Sequence, residues 1–123
     1  MRAPALTLID LLTGYRVTQA LYVAARLAIA DRLAEGPQRS EELARATGAD
    51  AGALRRLLRA LVSLGVFAEE ADGRFALTEV GALLRDEVPG SLRAGVIFYA
   101  DQRHCNAWAK WIKIGRASCR ERV

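Results

Sequence analysis

The most regular hydrophobic pattern in the chain lies between Asp50 and Gly65. Its apolar side chains recur at intervals of three and four residues, at Leu54, Leu57, Leu58, Leu61 and Val62. Residues at this spacing share one face of an α-helix. Asp50 is predicted to cap the start of this helix, and Gly65 stands where a left-handed residue often ends one. The pattern therefore predicts an amphipathic helix whose apolar face enters a core.

A shorter helix is predicted just before it. Ser40 is of a residue type favoured at N-cap positions. Glu41 and Glu42 follow it in the first turn, where the helix dipole favours acidic side chains. Gly48 is predicted to end this helix, so the two helices are joined by a short turn.

Two short segments of strand character, Val66–Ala68 and Arg74–Leu77, follow the second helix. Asp72-Gly73 lies between them, and an Asp-Gly pair is a strong signal for a hairpin turn. A helix, a turn, a second helix and a two-stranded wing together predict a winged helix. We assign it to residues 40–87.

The segment before the winged helix is predicted to be helical and unusually apolar. A short helix over Thr7–Leu12 precedes a longer one from Tyr15 to Glu35, which Gly36-Pro37 ends. Apolar residues go nearly all the way round the longer helix, and a helix without a wide polar face must be covered on more than one side. Another chain or another domain is therefore expected to cover the remaining faces. We interpret residues 1–39 as dimerisation helices and predict a homodimer, with packing on a further domain as the alternative. The interface candidates are Tyr15, Leu21, Tyr22, Ala25, Leu27 and Ile29.

A further short helix is predicted directly after the wing. Thr78 is expected to cap it, and the helix is expected to cover Glu79–Arg85. Its apolar side chains are predicted to turn inward; they are Val80, Leu83 and Leu84.

Residues 88–112 are predicted to form the C-terminal helices. Val88-Pro89-Gly90 interrupts the chain, and Ser91 is expected to cap a helical segment that reaches about Ile112. Asp101-Gln102 is predicted to divide this segment in two. The expected fold class is mainly α, with a winged helix-turn-helix and a two-stranded β-wing flanked by N- and C-terminal helices.

The last ten residues, Ile114–Val123 (IGRASCRERV), show no apolar period and depart from the composition of the rest. The codons ATC GGA AGA GCG TCG TGT AGG GAA AGA GTG, which belong to a sequencing adapter, encode them in order. We therefore interpret residues 113–123 as a non-native tail and the chain as a fragment whose natural sequence was cut near Ile112. A natural basic tail is the alternative.

This interpretation changes the charge and the cysteine count. Three arginines against Glu121 in the tail account for +2 of the formal net charge of +4, and +4 minus +2 leaves +2 for residues 1–113. Without Cys119 only Cys105 remains, so neither a disulfide framework nor a metal-ligand cluster is predicted.

A winged helix raises the question of DNA binding. Arg55, Arg56 and Arg59 form a basic stripe opposite the leucines, where a recognition helix would read the major groove. Yet residues 40–87 hold six basic and nine acidic side chains, a net charge of −3, and the wing tip is Glu69-Glu70-Ala71-Asp72. Phosphate neutralisation supplies most non-specific affinity for DNA. We therefore predict no nucleic-acid binding, with a winged-helix DNA-binding transcription regulator as the alternative function.

Catalytic motifs are absent from the sequence. His104 is the only histidine, and the adjacent Cys105 would not face it on a helix. There is no glycine-rich nucleotide loop and no paired-carboxylate site, so we assign no catalytic, cofactor-binding or metal-ligating residue. The chain shows no secretory signal and no run of the roughly 18 apolar residues that a membrane span requires. A cytoplasmic protein without a membrane partner is expected.

Five segments carry a resemblance to a known family: Ala20–Leu33, Ser40–Ala44, Leu54–Leu61, Gly65–Phe67 and Phe75–Gly81. Together they resemble the N-terminal dimerisation domain of class I S-adenosylmethionine-dependent O-methyltransferases. The similar enzymes are of the plant caffeate type and of the bacterial type that tailors polyketides and phenazines. The resemblance covers roughly residues 6–112.

The resemblance implies a winged helix that has lost DNA binding and that intertwines two subunits. It also implies that the parent protein binds S-adenosylmethionine in a Rossmann-like catalytic domain, which carries a catalytic histidine in many members. That domain would lie beyond residue 112, so the fragment alone would be inactive and would bind no cofactor. The acceptor would be a small hydroxylated molecule, aromatic or polyketide-like.

The C-terminal helices of similar enzymes line the acceptor cavity. The resemblance therefore implies pocket roles for Phe98, Asp101, His104 and Trp108. Cys105 departs from the aromatic residue that usually follows this histidine in the family. Plain interface packing is the alternative for the four candidates, and a free-standing dimerisation module is a further alternative for the whole chain.

Overall fold

A computed structural model of the chain describes residues 3–101 and residue 103. Within them lie seven helices and one antiparallel two-stranded sheet, so the prediction of a mainly α fold with a winged helix is confirmed. The elements are α1 (Pro4–Leu12), α2 (Gly14–Arg26), α3 (Ile29–Leu33), α4 (Ser40–Thr47), α5 (Ala51–Ser63), β1 (Phe67–Glu69), β2 (Phe75–Leu77), α6 (Glu79–Ala82) and α7 (Arg93–Ala100).

Helix α5 follows the predicted pattern. The Asp50 carboxylate accepts a hydrogen bond of 2.8 Å from the backbone N–H of Ala53, which confirms the predicted cap. Leu54, Leu58 and Leu61 are buried, and Leu57 and Val62 pack half-buried against the same core. The glycines predicted to end α4 and α5 both have positive φ, at 78° and 81°. Local signals therefore set both ends of this helix.

The wing is the predicted hairpin. Phe67 pairs with Leu77 and Glu69 pairs with Phe75 across the two strands. The turn closes through hydrogen bonds from Glu70 N–H to the Arg74 carbonyl at 2.7 Å and from Gly73 N–H to the Glu70 carbonyl at 2.9 Å. Gly73 has φ 86°, which a glycine adopts without a steric penalty.

A third backbone segment joins the sheet, which the sequence did not predict. Gln38 and Phe75 exchange two backbone hydrogen bonds, of 2.7 and 3.0 Å. The chain therefore reaches α4 in an extended conformation, and Arg39 rather than Ser40 occupies the N-cap position. The predicted Ser40 cap is wrong: Ser40 is the first helical residue, it is buried, and no side chain caps α4.

The prediction of one helix over Tyr15–Glu35 is also wrong. Helix α2 ends at Arg26, and α3 begins at Ile29 after a break at which Ala28 has φ 55° and ψ 39°. Ala28 is the only non-glycine residue with positive φ in the described part of the chain. This left-handed conformation costs an L-residue about 1–2 kcal/mol. The break has a packing reason, because α3 lies against β2 whereas α2 lies against α5 and α7.

The helices after the wing are shorter than predicted. Thr78 caps α6 as expected, with its hydroxyl oxygen accepting the Gly81 N–H at 3.1 Å. The helix ends at Ala82 rather than at residue 85, and the Leu83 carbonyl instead accepts the N–H of Leu92 at 2.7 Å. Leu84 is buried as predicted, but Val80 is 57% exposed and Leu83 is exposed too, so the predicted inward face holds only in part.

Helix α7 begins at Arg93 and ends at Ala100, with Leu92 at its N-cap position. The predicted Ser91 cap is therefore wrong, although the Ser91 hydroxyl oxygen accepts the Arg93 N–H at 3.3 Å. The predicted interruption at residue 101 agrees with the structure, because Asp101 leaves the helix with ψ 147°. The second of the two predicted helices lies outside the described residues. The predicted continuation to Ile112 and the predicted non-native tail lie outside the described residues.

One core holds these elements together. Its largest fully buried side chains are Phe67, Phe75, Ile29, Leu43, Leu58 and Leu61. They come from α3, α4, α5 and both strands, so the N-terminal helices share the core of the winged helix. None of the helices in the described part of the chain is long and apolar enough to cross a membrane.

Substitution of Gly81 by alanine should destabilise this core. A Cβ at Gly81 would overlap the Val66 carbonyl oxygen and would lie 3.1 Å from a ring carbon of Phe67. Backbone atoms cannot move away cheaply, so we expect a loss of about 1–3 kcal/mol and a fall of several degrees in the thermal midpoint. Gly95→Ala is the matched control, because a Cβ there meets nothing within 4 Å. Equal midpoints for the two variants would contradict the packing described for α6.

Candidate functional site

Helices α2 and α7 pack side by side and leave a groove between them. Its volume is about 290 Å³, and it is lined by Thr18, Leu21, Leu92, Gly95, Val96, Tyr99 and Ala100. We call this cavity the α2–α7 groove. Most of its lining residues are apolar, and Thr18 and Tyr99 are those that carry hydroxyl groups. Such a surface favours an apolar ligand with a few polar substituents.

The groove has a physical origin in the sequence of α7. Leu21 and Val96 form its inner side, since both pack half-buried against the core. Gly95 leaves space because it has no side chain, and a Cβ at this position would meet nothing within 4 Å. The lining residues of α7 and its cap follow the spacing i, i+3, i+4, i+7, i+8 from Leu92 to Ala100. The same pattern that identified α5 could therefore have identified this face.

Of the four residues predicted to line a pocket, Phe98 and Asp101 lie in the described part of the chain, and neither is among the lining residues of the groove. Phe98 is 64% exposed and lies beside the groove rather than among its lining residues. Its ring meets that of Tyr99 edge to face, with centroids 5.2 Å apart and planes at 84°. Asp101 directly follows the groove residue Ala100. His104 and Trp108 lie outside the described residues.

Asp101 is the titratable group of this region whose pKa is shifted in the part of the chain that the structure describes. Its carboxylate accepts the backbone N–H of Arg103 at 2.8 Å and the Arg103 Nε at 3.3 Å. These contacts lower the pKa of Asp101 below 3.8; the backbone hydrogen bond has the largest effect, and partial burial opposes it. Positive charge on Arg103 and Arg26 lowers the pKa further. A carboxylate held ionised in this way is a poor general acid near neutral pH.

The predicted dimer-interface residues fall into two groups. Tyr15 is exposed, and Leu21, Tyr22 and Leu27 are half-buried. Ala25 and Ile29 are only 1% and 0% exposed, because this chain buries them itself. The expectation of surface contact with a second chain is therefore revised for these two residues. It remains a prediction for the other four.

Helix α1 presents the largest set of exposed apolar side chains. They are Leu6, Leu8, Ile9, Leu11 and Leu12. None of the nine residues of α1, all of them described, is buried. Exposed apolar side chains in such number on one helix commonly mark a protein–protein contact.

Two arginines beside the wing, Arg59 of α5 and Arg74 next to the hairpin turn, form ion pairs with acidic side chains of the wing. Arg59 Nε lies 3.7 Å from a carboxylate oxygen of Glu69 in the wing. Arg74 lies 2.6 Å from Asp72 and 3.6 Å from Glu70. The wing arginine is thus paired with acidic neighbours on both sides. Within residues 3–101 and 103, no group of three metal-ligating side chains converges.

Comparisons with known proteins give a consistent result. The family model for the O-methyltransferase dimerisation domain matches residues 9–86. The phenazine O-methyltransferase PhzM of Lysobacter antibioticus is 48% identical over 102 residues, which are 83% of this chain and 30% of that protein. The phenazine-1-carboxylate N-methyltransferase of Pseudomonas aeruginosa is 41% identical over 106 residues, or 86% of this chain and 31% of that protein.

A solved structure agrees with them. The crystal structure of CalO1, a methyltransferase in calicheamicin biosynthesis in its SAH-bound form, matches with a TM-score of 0.72 at 48% identity. The match covers 80% of this chain and 29% of that one. This chain spans about a third of the length of the two curated relatives.

The pKa of Asp101 offers a direct test of the geometry at the end of α7. We expect Arg103→Ala to raise this pKa only part of the way towards 3.8, because the backbone N–H at residue 103 remains. An NMR titration of the carboxyl carbon measures it. Arg59→Ala, which removes an arginine that pairs with Glu69 instead, should leave the pKa of Asp101 unchanged. A complete return to the usual value in Arg103→Ala would contradict the leading role of the backbone hydrogen bond.

Proposed function

The chain belongs to the O-methyltransferase dimerisation domain family, and we propose that it is the dimerisation and substrate-pocket domain of an S-adenosylmethionine-dependent methyltransferase. The single observation that carries this proposal is the family match over residues 9–86. The proposed acceptor is a small hydroxylated molecule, aromatic or polyketide-like, and the methylated atom is its hydroxyl oxygen.

S-adenosylmethionine is proposed as the methyl donor of the parent protein. A similar methyltransferase was solved in its SAH-bound form, which supports this cofactor. We propose no cofactor contact for any described residue of this chain, because no glycine-rich loop lies in it. In the proposed enzyme, this domain shapes the acceptor site and a separate Rossmann-like domain holds the cofactor.

The α2–α7 groove supports an acceptor of modest size. Its volume of about 290 Å³ lies at the lower end of the range of about 300–1,000 Å³ for ligand pockets. Its apolar walls suit a flat ring, and Thr18 and Tyr99 carry hydroxyl groups that can hydrogen-bond to a substituent of such a ring. One relative is named for transfer to oxygen and another for transfer to nitrogen. A nitrogen atom is therefore the alternative methylated atom.

Homodimerisation is proposed through α1 and the outer face of α2. The leucines of α1 and Tyr15 of α2 are exposed in the single chain. Burial of apolar surface stabilises an interface by about 25 cal/mol per Å² before association costs are subtracted. A second copy offers the same surface, which suits a two-fold contact.

Two further parts of the proposal concern partners and location. The ion pairs of Arg59 and Arg74 with wing carboxylates support the prediction that the chain does not bind nucleic acid. A cytoplasmic location without a membrane partner stays a prediction. The transcription-regulator alternative would require steeply salt-dependent binding to random duplex DNA.

The dimer is testable on the 123-residue chain itself. Light scattering at tens of micromolar should report a dimer, and Leu11→Arg with Leu12→Arg should yield a folded monomer. These two side chains are suitable because α1 buries none of its nine residues, so the change leaves the core of the described chain intact. Leu64→Arg is the control and should remain dimeric, since Leu64 is also exposed but lies at the end of α5, away from the proposed interface. A monodisperse monomer of the unmodified chain in this measurement would refute the proposed dimer.

The acceptor role is testable in a chimera. We expect the Lysobacter enzyme to keep S-adenosylmethionine-dependent methyl transfer when the 102 matching residues of this chain replace the corresponding segment of that enzyme. Gly95→Phe in the chimera should raise KM for the acceptor at least tenfold, because the ring fills the groove. Gly95→Ala should leave KM within about twofold, since its Cβ meets nothing. A dimeric chimera in which both variants have the same acceptor KM would refute the groove as the acceptor site.

A further inference from the structure

The carbonyl oxygen of Ala25 has an unusual partner at the break between α2 and α3. In a continuous helix it would accept the N–H of Ile29, four residues on. Here it accepts the N–H of Ala28 at 3.2 Å and the Nε of Arg93 at 2.9 Å. Arg93 lies 68 residues further along the chain, in the first turn of α7. A guanidinium group thus occupies the position that the next helical N–H would take.

Arg93 is itself held in place by other contacts. Its terminal nitrogen lies 3.4 Å from a carboxylate oxygen of Asp86. The backbone N–H of Asp86 in turn bonds to the Asp31 carboxylate of α3 at 3.1 Å. These contacts connect the end of α2, the short helix α3, the loop after α6 and the start of α7. A cation is also favoured at this point, where the C-terminal end of the α2 dipole lies.

We infer that Arg93 is a positioning residue that ends α2 at Arg26 and holds Ala28 in its left-handed conformation. The local sequence alone predicts an unbroken helix, because it contains neither glycine nor proline from residue 15 to residue 35. Arg93 supplies the missing stop signal from a distant part of the chain. The same hydrogen bond anchors the start of α7 to the end of α2, so it also sets one end of the α2–α7 groove.

The break between α2 and α3 does not depend on the proposed function. The break exists whether or not the groove binds an acceptor, and its test needs neither cofactor nor acceptor. Failure of the methyltransferase proposal would therefore leave it intact, and its own failure would leave the family membership unchanged.

The test follows the conformation of residue 28 by NMR in the full chain. The three-bond coupling between its amide and α protons, together with its Cβ shift, distinguishes positive φ from helical φ. Arg93→Met removes the donor at similar side-chain length and should shift residue 28 towards helical values, with a fall of several degrees in the thermal midpoint. Arg59→Met is the matched control, because Arg59 of α5 pairs with Glu69 of the wing and is not placed at the break; it should change neither the conformation of residue 28 nor the midpoint.

Two rescue variants keep the test decisive if Arg93→Met fails to fold. Ala28→Gly accepts positive φ without a steric penalty, so adding it to Arg93→Met should restore folding and raise the thermal midpoint. Arg93→Lys keeps a cationic donor and should retain folding and the left-handed conformation in part. Two results would overturn the inference. One is a folded Arg93→Met variant in which residue 28 stays left-handed. The other is no rise in stability when Ala28→Gly is added to Arg93→Met.

Discussion

The rest of the structure depends on the packing of α5 against the hairpin. Four side chains at this contact are at most 1% exposed: Leu58 and Leu61 of α5, and Phe67 and Phe75 of the strands. Large aromatic side chains contribute most to such a core, because each buries more than about 150 Å². Ile29 joins them from α3, so the N-terminal helices cannot be placed independently of the wing. The groove beside α7 exists because α2 packs one face against this core and lines the groove with another face.

The elements that sequence predicts well are those whose determinants are local. Asp50 and Thr78 cap their helices through their own side chains, and Gly73 closes a turn that its neighbours also favour. The burial pattern of α5 follows from spacing within a single helix. Each signal requires only residues within a few positions of one another, so a single sequence contains all of the information.

The elements that sequence predicts poorly are set by distant contacts. Ser40 loses its cap position because Gln38 pairs with Phe75, far along the chain. Ala25 and Ile29 were expected at a dimer interface, yet the chain's own fold buries them. Periodicity indicates that a helix is covered on several sides, but it does not say which chain covers it. The groove could have been found from the spacing in α7, whereas its depth depends on how α2 lies against it.

Helix α1 poses a separate physical problem. It is nine residues long, and isolated helices shorter than about 12–15 residues are marginal in water. Within the described chain it touches α2 but buries none of its own side chains. Its leucines therefore contribute little to the free energy of folding in a single copy, although they would contribute much in a contact with another surface. A helix of this composition is best explained as half of an interface, and in the proposed homodimer a second copy of the same domain would supply the other half.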